Sequence, residues 1–329
     1  PGKTHLLRHR LPLHGGEQRV DLRPGGDQAA DHHHFRHRFD QRLHPTQLEP
    51  GQLAWAINAT FRGALPANRP GWLKVALRFP SEEISDLFET GRFQGALFSS
   101  YHQRHIIVIA GRIFVIERDV VSELTGADTS SPTALRVWFL EAEEFVIIQD
   151  GRSAAWIYDG AQLRRSNNFG IGSGVKEIPT GTVMAYALGR IWVTLTDQRS
   201  FVASDLLYDP TGTPGYGRRD AILKFTANEY LAEGGAFSVP FGAGLITAMT
   251  PLPQLDTSLG HGPLLVFTEG GAFSINAPFD WTAWLNLQGP LQTVALLHNG
   301  ALSDRGVVIV NGDIWYRSAD GIRSFRVAQ

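Results

Sequence analysis

The chain has 329 residues, of which 43% are hydrophobic and 19% charged, and its formal net charge is −2. That balance is globular, and it excludes both a disordered chain and a general basic footprint for nucleic acid. There are no cysteines, which excludes disulfides, thiolate chemistry and Cys-based zinc sites.

The first 45 residues stand apart. They hold His5, His9, His14, His32, His33, His34, His37 and His44, eight of the twelve histidines, and none of the eight tryptophans. Apolar residues are sparse there and keep neither the helical nor the strand period. Three readings stay open: a flexible or partner-ordered arm, a segment out of its natural frame, or a metal site through His32, His33, His34 and His37. Against the last, adjacent histidines on a strand point to opposite faces. The N-terminus has no apolar core of a secretory leader. No run of about 18 apolar residues occurs anywhere, so no membrane span is expected.

The character changes near residue 48, which divides an irregular segment (1–47) from a β domain (48–329). The stretch 53–79 mixes short apolar runs with Gly, Pro and Asn, and reads as strands and turns. Residues 81–91, SEEISDLFETG, form the one good helix candidate. Ser81 is placed to cap it, Glu82 and Glu83 fall in its first turn, and Gly91 follows its end.

A repeat follows. Six glycines, Gly111, Gly151, Gly189, Gly234, Gly270 and Gly312, are separated by 40, 38, 45, 36 and 42 residues. An aromatic lies three residues after five of them: Phe114, Trp192, Phe237, Phe273 and Trp315. The second unit departs, with Trp156 five residues on. Short apolar runs precede five of the glycines: IIVI (106–109), FVII (145–148), VMAY (183–186), LLVF (264–267) and VVIV (307–310). The fourth unit lacks such a run.

Each unit therefore reads as apolar strand, tight turn, aromatic strand. Glycine supplies the positive φ of a two-residue hairpin turn, and four-residue apolar runs suit strands buried on both faces. A hairpin cannot bury its own faces, so the units must stack. The expected fold is all-β, a β-propeller of about five to seven blades, with a sheet sandwich as the rival. Residues 53–79 are expected to complete the last blade.

Chemistry is thin. Glu141, Glu143 and Glu144 form a tight acidic cluster that reads as a solvated strand edge. GIGSG (170–174) lacks the Lys-Ser/Thr and the strand–loop–helix setting of a phosphate loop. His102 and His105 read as surface histidines. Asn58-Ala59-Thr60 is a glycosylation sequon with no sign of secretion behind it. SADGIRSF (318–325) resembles the Asp-box turn of sialidase-type propellers, with altered spacing after Asp320. The long loop 208–220, YDPTGTPGYGRRD, is the best candidate for a partner contact, through Tyr216, Arg218 and Arg219. No catalytic, cofactor-binding or metal residues are expected, and no enzyme.

Four stretches carry a resemblance: 48–72 (LEPGQLAWAINATFRGALPANRPGW), 226–240 (TANEYLAEGGAFSVP), 256–276 (DTSLGHGPLLVFTEGGAFSIN) and 303–325 (SDRGVVIVNGDIWYRSADGIRSF). They resemble tailed-phage virion proteins, similar to the β-propeller nozzle or tail-tubular proteins of short-tailed phages. The resemblance implies a homo-oligomeric ring in the virion tail, contacts with portal, adaptor or other tail proteins, and a channel for DNA that is not read by sequence. A carbohydrate-binding or glycoside-cleaving propeller and a cellular scaffold propeller are the alternatives.

Overall fold

A computed structural model describes residues 75–126, 132–167, 177–206, 218–225, 237–252, 264–275 and 299–325, together with the backbone of 59–62, 65–68 and 294–297. The chain divides into two compact units, Pro1–Lys74 and Val75–Gln329. In the first, β1 (Ala59–Arg62) and β2 (Leu65–Asn68) pair as an antiparallel hairpin.

The second unit is a series of antiparallel sheets, each folded from consecutive strands. The first sheet is β3 (Phe93–Ser99), β4 (Arg104–Ile109), β5 (Arg112–Glu117) and β6 (Val120–Glu123). The second is β7 (Trp138–Ala142), β8 (Phe145–Gln149), β9 (Trp156–Tyr158) and β10 (Leu163–Arg165). The third is β11 (Gly181–Ala187), β12 (Arg190–Leu195) and β13 (Phe201–Ala203). The fourth is β14 (Ile246–Pro251), β15 (Leu264–Thr268), β16 (Ala272–Ile275) and β17 (Val294–Leu297). The last is β18 (Val307–Val310), β19 (Asp313–Ser318) and β20 (Gly321–Ser324).

These sheets are stacked as propeller blades. Their first strands adjoin in sequence, β3 beside β7, β7 beside β11 and β11 beside β14. Each neighbouring pair of sheets encloses its own apolar layer. Ile106, Val108, Val146 and Trp156 fill the first, and Ile147, Ile157, Ile191 and Val193 the second. Trp192, Phe201, Phe237 and Phe273 fill the third, and Phe267, Ile314 and Tyr316 the fourth. Alternation along each strand makes this possible, because residues two apart on one strand face the same neighbour.

The outer face of the first sheet is covered by α1 (Glu82–Thr90), the helix expected from the sequence. Ser81 Oγ accepts from Ile84 N (3.3 Å), and Ile84, Leu87 and Phe88 pack on Ile109, Phe114 and Val121. Gly91 is required for space: a Cβ there would lie 2.4 Å from Leu87 O.

Among the described residues, the fourth sequence unit founds no sheet of its own. Phe237 and Val239 run along the free edge of β13, with Phe201 N donating to Phe237 O (2.9 Å) and Val239 N to Arg199 O (3.1 Å). In the third apolar layer the Phe237 ring stacks on Phe201 (5.4 Å) and meets Trp192 edge to face (5.0 Å). The described part of the fourth unit thus pairs with the edge of the third sheet.

Candidate assembly surface

The glycine hairpins come first, because they decide which way the aromatics face. In three turns both central residues have positive φ: Ala110 (47°) with Gly111 (84°), Leu188 (56°) with Gly189 (67°), and Asn311 (51°) with Gly312 (74°). This is the type I′ signature that matches strand twist. Gly151 (φ 73°) instead opens a loop in which Asp150 Oδ1 accepts from the N–H groups of Arg152 and Ser153, so Trp156 follows two residues later than in the other units. Gly270 lacks positive φ; it packs under Ala243, whose carbonyl accepts its N–H (3.0 Å). Gly234 lies outside the described residues.

The turns after Gly111, Gly151 and Gly270 join second and third strands; those at Gly189 and Gly312 join first and second strands. The two kinds of turn sit at opposite ends of a sheet, so their aromatics point opposite ways. Phe114, Trp156 and Phe273 face backwards along the stack, into α1, the first sheet and the third sheet. Trp192 faces forward into the fourth sheet. Trp315 also faces forward, and no described sheet follows it.

The result is an apolar face in water. Val308 pairs with Trp315, Val310 with Asp313, and Arg317 with Ile322, so Val308, Val310, Trp315 and Ile322 share one side of the last sheet with Asp313, Arg317 and Ser324. Their exposures are 55%, 43%, 44% and 77%. The opposite side, with Ile314, Tyr316 and Phe325, is buried against the fourth sheet. The run VVIV reads like the other four buried runs, yet it is the exposed one: Val308 and Val310 lie on the unpacked side, and Ile309, opposite Ile314 on the edge strand, is itself 44% exposed.

Polar links hold the sheets behind this face. The carboxylate of Glu141 on β7 accepts from the hydroxyls of Ser99 and Ser100 and from the N–H groups of Ser100 (3.1 Å) and Tyr101 (3.0 Å) in the first sheet. Burial raises its pKa, but the bonds from Ser100, Ser99 and Tyr101 outweigh it and hold the group below its ordinary value. His102 Nε2 donates to Glu144 O (2.8 Å), since a carbonyl can only accept. Tyr186 OH donates to Glu143 Oε1 (2.6 Å), and burial first, then this bond, push the phenol up. The acidic cluster expected to be a solvated edge is therefore a joint between three sheets.

Two buried glutamines do the same work at the other end. Gln94 Oε1 accepts from Gly111 N (2.6 Å) while its Nε2 donates to Ala134 O (2.9 Å). Gln149 Oε1 accepts from Gly181 N (2.9 Å) while its Nε2 donates to Pro179 O (2.8 Å). Each amide ties its sheet to the strand leading into the next. No sequence pattern marks these residues.

Of the expected loop contacts, Tyr216 lies outside the described residues. Arg218 and Arg219 open a 3-10 turn, Arg218–Leu223, anchored by the buried Ala221, Ile222 and Leu223. The Asp-box-like stretch is a hairpin turn in which Ser318, Asp320 and Arg323 bond to one another. His32, His33, His34 and His37 lie outside the described residues. Among the described residues no cluster of metal-ligating side chains occurs, and no helix is long and apolar enough to cross a membrane.

No family model and no curated protein matches the sequence. Solved structures similar to it include BBS1N in complex with ARL6DN, at 10% identity and TM-score 0.38, covering 71% of this chain and 59% of that one. The extracellular domain of BT4673 from B. thetaiotaomicron matches at 14% identity and TM-score 0.40, over 70% of this chain and 28% of that one. That of BT3049 from the same organism matches at 10% identity and TM-score 0.35, over 70% and 33%.

Proposed function

We propose that this chain is a structural subunit of a tailed-phage virion, a tail or nozzle component that assembles into a ring around the path of DNA ejection. The observation that carries the reading is the exposed face of Val308, Val310, Trp315 and Ile322. Four large apolar side chains exposed on one side of a sheet mark an interface. It is formed by the stretch 303–325, one of those that resemble virion proteins. Stacked sheets joined by Glu141, Gln94 and Gln149 give the stiffness a ring subunit needs. A heterologous contact repeated around an axis closes such a ring, with portal, adaptor or other tail proteins as its neighbours.

Electron microscopy and sedimentation of the purified chain test this. Rings are expected, and Trp315→Glu with Ile322→Glu should leave a folded monomer, because a charge in an apolar interface is strongly disfavoured. A chain that stays monomeric at high concentration and is absent from virions overturns the reading.

A further inference from the structure

The chain's net charge is −2, yet one end of the sheets gathers arginines. Arg92 precedes β3, Arg136 precedes β7, Arg152 follows β8, and Arg305 lies in the 3-10 turn Asp304–Gly306 before β18. Starts of first strands and ends of second strands meet at this end, so four guanidinium groups from separate elements surround residues 133–137 and Gln94. Arg92 Nη1 reaches Thr133 O (3.5 Å), and Arg152 Nη1 reaches Thr133 Oγ1 (3.4 Å). Arg305 Nη2 reaches Gln94 O (3.3 Å). Arg136 is different: it pairs with Asp304 (2.6 Å) and stacks on Trp138 (4.3 Å). Asp150, among the described residues at this end, is buried and caps its own turn.

Arg92, Arg152 and Arg305 are exposed, and among the described residues none has a carboxylate within 4.0 Å. Their contacts are long bonds to neutral oxygens, which leave most of their donors to solvent. A guanidinium presents five N–H groups in a fork that fits phosphate oxygens two at a time. Repulsion among three such groups is relieved when an anion enters. The three groups come from separate elements and gather around Thr133 and Gln94, so neighbouring phosphates of a polymer can engage them together.

We infer that Arg92, Arg152 and Arg305 form a contact for the phosphate backbone of nucleic acid, independent of base sequence. The site does not depend on the virion reading, and it is local, in a chain whose net charge of −2 excludes a general basic footprint. Phosphate contacts release counterions, so binding should weaken steeply with salt, by about 0.9 in log–log slope per contact. Three contacts correspond to a loss of roughly 40-fold between 50 and 200 mM salt.

The test is fluorescence anisotropy of a labelled duplex with the full chain, titrated at salt concentrations from about 25 to 200 mM. The expected slope is near −3, falling by about one for each Arg→Gln replacement and approaching zero in the triple variant R92Q/R152Q/R305Q. Arg317→Gln, at an exposed arginine on the last sheet, should leave the slope unchanged. Circular dichroism keeps loss of fold apart from loss of binding. No binding at the lowest salt, or an unchanged slope in the triple variant, overturns the inference. So does inorganic phosphate competing one-to-one with no gain for the polymer, or binding of a polyglutamate peptide in place of DNA. Ring formation is read separately by microscopy, so the site and the virion reading can each fail alone.

Discussion

Tyr316 is fully buried between the fourth and last sheets, its ring 5.0 Å from Phe267, and its hydroxyl has no hydrogen-bond partner among the described residues. Burial also pushes its pKa up, the mark of a polar group kept from water. Removing an unsatisfied buried hydroxyl while keeping the ring costs nothing in packing. Tyr316→Phe should therefore hold or raise the denaturation midpoint, by up to about 1 kcal/mol; a clear loss in urea unfolding contradicts this. Glycines show the opposite sensitivity, for two different reasons. A Cβ on Gly300 would stand 1.7 Å from Thr268 O, so Gly300→Ala forces backbone apart and should cost about 1–3 kcal/mol or more. Gly321 has open space but φ of 134°, so Gly321→Ala pays only dihedral strain, on the order of 1 kcal/mol. Urea midpoints of the two variants rank these costs. Spacing in the sequence picks out Gly111, Gly189 and Gly312 because their turns repeat. It is silent on Gly300, whose need arises from a strand brought beside it by the fold.

Between elements, the joints are polar where the layers are apolar. Glu141 gathers the β3–β4 turn around one carboxylate. Its folded pKa lies below the unfolded carboxylate value of about 4.3. The stability it adds is present above that value and is lost as pH falls through the lower folded one. The wild type should therefore lose stability between about pH 5 and pH 2 more steeply than Glu141→Gln. At neutral pH the variant should be weaker by about 1–3 kcal/mol. Parallel curves of unfolding midpoint against pH contradict this. Strand periodicity and turn chemistry make the blades and α1 legible in advance, because they are local. The links through Glu141, Gln94 and Gln149 are not, because they join positions 30 to 42 residues apart through side chains that look like ordinary surface polar residues. The same limit applies to Trp315: its place in the repeat is visible, but the side it faces depends on which pair of strands its turn connects.

Over the whole second unit, the sheets are local and the last joint is remote. Arg136 pairs with Asp304 across 168 residues, and Arg305 reaches Gln94 across 211. The strand pairing of each blade closes over its own few tens of residues, and its apolar faces are covered by the blades next to it in sequence. During synthesis at about 5–20 residues per second, the first sheet leaves the ribosome roughly 10–40 s before Arg305 exists. Its face beside Gln94 must wait that long for its partner. Contacts that form after the main barrier govern how fast a protein comes apart rather than how fast it assembles. Asp304→Asn should thus leave refolding unchanged while unfolding quickens by roughly two- to five-fold, the effect of losing about 0.5–1 kcal/mol at a half-exposed pair. Stopped-flow chevrons in urea measure both limbs, and a slowed refolding limb would place this joint early instead. The arginines at this end thus tie the two ends of the blade series in time as well as in space, acting as a latch that shuts only when nearly the whole chain has emerged.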